Sequence, residues 1–359
     1  MVLNENTIYI SAVVAIYWTV SISMVYLNKI LMSNELVSIP APLFITWYQC
    51  IITSIICWFA GLCGDRALNQ GGAYSRLTTV ELGDESGITK PSFFAQFPRA
   101  HYHRKTALKI FPLSVIFVGM ITFNHMCLKY VEVSFYNVAR SLTIVFSVIF
   151  SRIFLGIRCG PKTALCLVVV VCGFYIGALG EMNFSAIGTA CGIISSLFVA
   201  LNSIFTKKML PLVEDNHWKL TFYNNVNACM IISPLVYFFE ADFVMENMRH
   251  LQNPMYWSAM TVAGFFGFAI GIVTVLQIKA TSPLSHNVSG TAKAAVQSML
   301  AFYLWGNEAT WQGILGIFAV LGGSLLYTYS KMNENNHQVT HMKSNSDVEM
   351  SGPSSRNGE

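Results

Sequence analysis

Arg140 and Lys293 each stand inside a run of apolar residues long enough to cross a bilayer, Arg140 in SFYNVARSLTIVF and Lys293 in PLSHNVSGTAKAAVQSML. Placing Arg or Lys at the centre of a membrane helix costs about 2.5–3.5 kcal/mol, so the surroundings must compensate the charge. Snorkelling serves Lys29, Lys129 and Lys279, which sit at the ends of runs. Lys293 is far from either surface. A buried ion pair needs a carboxylate, yet Glu132, Glu181, Glu240 and Glu308 all lie at run ends and no Asp or Glu lies in a run interior. What remains is a polar cavity in which both cations await an anion. Arg grips phosphate oxygens as a planar fork and Lys as a point charge. At about 1.5 Å of rise per residue, Arg140 lies about 10 Å from one face and Lys293 about 15 Å from the other. In a hydrocarbon core about 30 Å thick this leaves about 5 Å between them along the membrane normal. One diphosphate could bridge that gap.

Further residue types fit an anionic ligand that carries a base. Ser289, Gly290, Thr291 and Ala292 keep the surface before Lys293 small, which suits either close approach of a ligand or close helix packing. Tyr223, Asn224 and Asn225 combine an aromatic face with two amides, which is what a nucleobase needs for stacking and for reading its edge. The same amides could instead hydrogen-bond between helices, and Asn227 lies one face removed. His286 and Asn287, with Tyr136 and Asn137 at the repeat-equivalent place, extend the expected polar lining. There is no Walker A loop, no nucleophile–base constellation, no CxxC and no zinc-like spacing, so no cofactor, no metal and no enzymatic activity is expected. The nine cysteines read as small packing residues.

The elements that must position these residues follow from hydropathy. Of the 359 residues, 54% are hydrophobic and only 11% charged, with mean hydropathy +0.52. A soluble domain carries about 25% charged residues, so the chain is an all-α integral membrane protein. A span needs about 20 apolar residues, and ten candidates are found: 8–31, 42–62, 108–129, 133–155, 161–180, 185–207, 217–239, 255–278, 283–304 and 311–330. Ser282-Pro283 and Asn253-Pro254 read as N-caps followed by proline at the first helical position. Residues 1–7 form a short N-terminus, 63–107 a long loop, and 331–359 a disordered tail. With both termini in the cytosol, seventeen Lys and Arg fall on the cytosolic side, three on the other and two within spans. That bias fits the preference of basic residues for the cytosol. LKYVEVSFYNV (128–138) aligns without gaps on IKATSPLSHNV (278–288), and TWYQC (46–50) matches TFYNN (221–225) in the same order. The halves 8–180 and 185–330 therefore read as two five-helix repeats. An odd repeat places the second copy upside down, which is the inverted architecture of secondary transporters. Gly188–Gly192 and Gly267–Gly271 are GxxxG patterns read as internal packing, with a homodimer left open. Asn183-Phe-Ser185 is a glycosylation sequon in a short turn.

Together SISMVYLNKILM, VGMITFNHMCLKYVEVSFYNVARSLT, LTFYNNVNAC and GFFGFAIGIVTVLQIKATSPLSHNVSGTAKA resemble the nucleotide-sugar transporters of the Golgi, most closely the GDP-fucose branch. The resemblance spans roughly residues 8–330 and implies a drug/metabolite-transporter fold. The implied activity is import of GDP-fucose into the Golgi lumen in exchange for GMP by alternating access. In related GDP-mannose carriers an FYNN motif serves the guanine, and it stands here as Phe222 to Asn225. Their GALNK motif departs here: Gly290-Thr291-Ala292-Lys293 keeps the glycine and, one residue early, the lysine, but lacks the Leu-Asn pair. The implied setting is a multi-pass Golgi membrane protein with both termini cytosolic. Its partners would be membrane lipid and the two exchanged ligands, without nucleic acid. The alternatives are a GDP-mannose or other nucleotide-sugar carrier and a phosphate-ester exchanger. A membrane-embedded transferase would need an acid–base group beside the site, for which His286 is the nearest candidate, while His125 reads as a packing residue.

Overall fold

Inside a bilayer every backbone N–H and C=O must be satisfied within its own segment, which leaves an apolar chain of this kind the α-helix. Side-chain oxygens start several of its helices. Asn253 Oδ1 accepts from the Met255 N–H at 2.9 Å ahead of Pro254, as its sequence position predicts. Asn216 Oδ1 accepts from the Trp218 and Lys219 N–H groups at 2.9 and 3.1 Å, and Ser185 Oγ from that of Gly188 at 3.1 Å. Each such cap satisfies a donor that the first turn leaves without a helical partner.

The computed structural model describes residues 5–33, 39, 41–81, 102–156, 160–180, 185–280, 283–305 and 310–350, with side chains over a narrower set. In chain order the helices are α1 (Glu5–Ser33), α2 (Pro42–Glu81), α3 (Arg104–Tyr130), α4 (Val133–Leu155), α5 (Pro161–Leu179) and α6 (Ala186–Met209). They continue with α7 (His217–Phe239), the short α8 (Ala241–Glu246) and α9 (Met248–Leu251), then α10 (Pro254–Ala280), α11 (Pro283–Trp305) and α12 (Trp311–Met350). No strand occurs among the described residues. Eight of the long helices are apolar enough to cross a membrane by length and composition. The long helices outside that set, α7 and α11, carry the Tyr-Asn-Asn sequence and Lys293. Their polar residues lower the hydropathy that would otherwise qualify them.

Two expected boundaries differ. The chain is helical to Glu81, well into the segment read as a loop over 63–107, and α3 starts at Arg104. It is also helical to Met350, where 331–359 was read as a disordered tail. Neither extension has apolar periodicity, so hydropathy alone could not mark it. Ser282, expected as a cap, and the sequon residue Asn183 lie outside the described residues.

Packing is by small residues, as expected where lipid tails are as apolar as side chains. The α5–α12 pair is a glycine seam. A Cβ on Gly316 would overlap the Gly177 backbone, one on Gly180 would overlap Gly313, and one on Gly173 would sit 2.8 Å from Val320 N. Gly188 and Gly192 press on α3 and α4 as expected, a Cβ on Gly192 lying 2.9 Å from Ala139 Cβ. The pattern Gly267–Gly271 does not pack this way. The atom nearest to a Cβ on Gly267 is 3.9 Å away, and a Cβ on Gly271 would meet nothing within 4 Å. Lys29 does not snorkel either: its ammonium donates to the carbonyls of Leu128 and Val131 at 2.7 Å each, tying α1 to the C-terminal end of α3. A cation there complements the helix dipole.

Candidate substrate cavity

Polar side chains recur at helical spacing along otherwise apolar helices and turn inward together. On α1 the stripe is Ser21 and Asn28, and on α2 it is Thr46, Gln49 and Thr53. On α7 it is Thr221, Asn224 and Asn225. With Asn124, Asn202 and Gln297 they line a cavity of about 430 Å³ that also holds Tyr136, Asn137, Arg140 and Lys293. One end reaches His217, which is exposed where α6 turns into α7. The other end stops at buried Asn28, Thr46, His125 and Leu128. There Gln49 Nε2 donates to Asn28 Oδ1 at 2.9 Å, and Thr46 Oγ1 lies 2.9 Å from His125 Nδ1. Because the Thr46 hydroxyl donates to Pro42 O at 2.7 Å, His125 must supply the proton of the second bond, from Nδ1. His125 is therefore both a packing residue, as expected, and part of the cavity floor.

Both cations are in place. Arg140, on α4, opens onto the cavity and is solvent-accessible although it lies deep in the bundle. Its Nη1 donates to the Tyr136 hydroxyl at 2.6 Å, with the guanidinium 5.9 Å from that ring's centroid. Tyr136 in turn reaches Asn124 Oδ1 at 3.5 Å, and Ser195 Oγ donates to the same oxygen at 2.6 Å. Lys293, on α11, donates to Ser21 Oγ at 2.6 Å and lies 5.5 Å from the centroid of the Tyr17 ring. Helices α4 and α11 pack directly, and the charge of Arg140 acts on Lys293. No carboxylate lies on the cavity wall among the described residues.

The remaining expected site residues divide. Asn224 and Asn225 line the cavity, and the Asn225 amide donates to Thr221 O at 2.8 Å. The Tyr223 ring is not in the lining: it lies 5.6 Å from the Tyr102 ring, and its hydroxyl accepts from the His103 N–H at 3.0 Å. Asn137 lines the cavity while its Nδ2 donates to Ser298 Oγ at 3.1 Å. Ser289 fastens helices together, accepting from Trp18 Nε1 at 2.8 Å and Gln277 Nε2 at 3.0 Å. A Cβ on Gly290 would meet nothing within 4 Å, and Ala292 is half-buried outside the lining. The side chains of His286, Asn287 and Thr291 lie outside the described residues. Ser21, Asn28, Gln49, Asn124, Asn202 and Gln297 were not singled out from the sequence. Their signal was the polar stripe at spacings of three, four and seven residues.

Trp18–Ser289, Ser21–Lys293 and Tyr26–Gln297 form a ladder between α1 and α11 in which residue numbers rise together. The two helices therefore run parallel, and Lys293 is held at the middle rung.

A polytopic helical protein with two cations in an internal cavity has an architecture suited to carrying an anion across a membrane. The chain belongs to the Triose-phosphate Transporter family, which it matches over residues 8–328. It is 42% identical over 337 residues to a Nematostella vectensis protein named GDP-fucose transporter 1, covering 92% of each chain. It is 42% identical over 327 residues to the Mus musculus protein of that name, covering 90% of this chain and 84% of the other. To the Drosophila melanogaster protein named GDP-fucose transporter, Golgi, it is 39% identical over 328 residues, covering 90% of each. A solved structure titled only as the crystal structure of a protein shares the fold with TM-score 0.51 at 13% identity, covering 90% of this chain and 96% of that one.

Proposed function

We propose that this chain carries GDP-fucose into the Golgi lumen and returns GMP, by alternating access of two inverted five-helix repeats. One observation carries the proposal: Arg140 and Lys293 share a cavity wall with the amides of Asn224 and Asn225 and with no carboxylate among the described residues. A diphosphate satisfies the two cations, and Asn224 and Asn225 offer hydrogen-bonding groups to a base. The names of the relatives supply the guanine and the fucose. GMP of similar charge would take the same clamp on the return leg, and two uncompensated cations would resist reorientation of the empty carrier, enforcing exchange.

Helix pairing supports the repeat. Exchanging each helix for its counterpart five spans along turns α1 on α10 into α6 on α3, α10 on α2 into α3 on α7, and α4 on α5 into α11 on α12. The pairs α2–α7, α4–α11 and α5–α12 map onto themselves. Arg104, Lys105, Lys207, Lys208 and Lys219 cluster at the end where the cavity reaches His217. With that end and both termini in the cytosol, this conformation faces the cytosol.

Lys293→Ala should lower exchange at least about thirtyfold, since removing one partner of a buried charge interaction costs about 2–5 kcal/mol. Thermal unfolding in detergent should stay near wild type. Exchange close to wild type from a folded Lys293→Ala protein would overturn the clamp.

A further inference from the structure

Two amide oxygens on the cavity wall have no hydrogen-bond partner among the described residues, Asn224 Oδ1 on α7 and Asn202 Oδ1 on α6. An enclosed acceptor without a donor is costly, and a ligand in the cavity these two residues line would supply the donor. The two sit at one depth. Asn202 is seven residues before the end of α6 and Asn224 seven after the start of α7, so each lies about 10 Å from the α6–α7 turn. Rotation about the last side-chain bond, a broad torsion for Asn, presents either oxygen to the cavity.

The bases differ in what they offer such a pair. Guanine places two donors side by side on its Watson–Crick edge, N1–H and the N2 amino group. Adenine offers one donor beside an acceptor, and uracil one donor between two acceptors. Hypoxanthine keeps N1–H and lacks the amino group. Two adjacent donors call for two acceptors.

We propose that Asn202 is a specificity-determining residue that accepts a hydrogen bond from the guanine 2-amino group at the depth of Asn224, so that the site selects that group. This rests on the guanine reading above. Lys293, about 15 Å from the same end, and Arg140, about 20 Å from it, then hold the phosphates deeper than the base.

The test is competition of GMP and IMP against labelled GDP-fucose uptake in proteoliposomes. Wild type should favour GMP about tenfold to a hundredfold, the effect of leaving one enclosed acceptor unpaired. Asn202→Leu should bring the ratio to near one, and Asn202→Asp, which keeps the acceptor, should preserve it whatever the absolute affinity. An unchanged ratio in Asn202→Leu overturns the inference. So does a wild type that rejects uridine nucleotides yet takes GMP and IMP equally, in which case the guanine reading survives alone. Equal acceptance of uridine nucleotides removes both. If Asn202→Leu does not fold, the wild-type and Asn202→Asp ratios decide.

Discussion

Each cation on the cavity wall is held by neutral oxygens: Lys293 by Ser21, Arg140 by Tyr136. Hydroxyls orient a charge without cancelling it, so the net positive field is kept for the ligand. Carboxylates are used elsewhere. Glu240, just past α7, accepts from the Leu43 and Phe44 N–H groups at 3.0 and 2.8 Å and so caps α2. Burial holds its carboxyl above the ordinary value of 4.5, although those two hydrogen bonds and nearby Lys129 pull the other way. A raised folded-state value means that ionisation weakens the fold. The stabilising contribution of protonated Glu240 is full below the ordinary carboxyl value and is lost as pH rises through the raised one. Wild type should therefore lose stability relative to Glu240→Gln as pH rises from below the ordinary carboxyl value to above it, measured by thermal unfolding in detergent. A difference moving toward wild type with rising pH would contradict this. Arg140 and Lys293 were legible in the sequence because a charge in hydrocarbon demands a reason. Ser21, Asn124 and Asn202 were not, because one neutral polar residue in a membrane helix costs little and has many uses. Tyr223 shows the converse: adjacency to Asn224 suggested a stacking face, but neighbouring residues on a helix point about 100° apart.

Ten helices were expected from apolar length, and the ten long helices among the described residues cover those ranges except at residues 180 and 185, eight of them apolar enough to cross a membrane. The seams between them were less legible, since a GxxxG pattern does not say what it faces. Gly188–Gly192 is pressed by neighbours, Gly267–Gly271 is not, and the tightest seam joins Gly173, Gly177 and Gly180 to Gly313 and Gly316 on a helix far along the chain. The α5–α12 pair closes on its own counterpart in the proposed repeat. Gly316→Ala should force these helices apart and destabilise the protein by about 1–3 kcal/mol, the usual effect of overpacking. Thermal unfolding checks it, with Gly271→Ala as the control at a site open to a Cβ. Equal effects of the two substitutions would contradict the seam. The α1–α11 ladder was also unreadable, because no local pattern marks hydrogen bonds between residues some 270 positions apart.

At the scale of the molecule, the cavity extends from an exposed histidine at one end to hydrogen-bonded pairs at the other, so it is open on one side and closed on the opposite one. The closed end joins α1 to α2 through Asn28 and Gln49, α2 to α3 through Thr46 and His125, and α1 to α3 through Lys29. Opening it requires those bonds to part together, which couples the gate to movement of α1, the helix that also holds Lys293. In the proposed exchange, reorientation then depends on an anion reaching the two cations. The most direct test is uptake of labelled GDP-fucose into proteoliposomes, with GMP inside or with none, competed by GDP-mannose, UDP-galactose and phosphoenolpyruvate. Uptake that needs internal GMP and yields to guanine nucleotides alone is the expected result. Uptake without internal GMP, or equal competition by UDP-galactose, would contradict guanine-nucleotide exchange through this cavity.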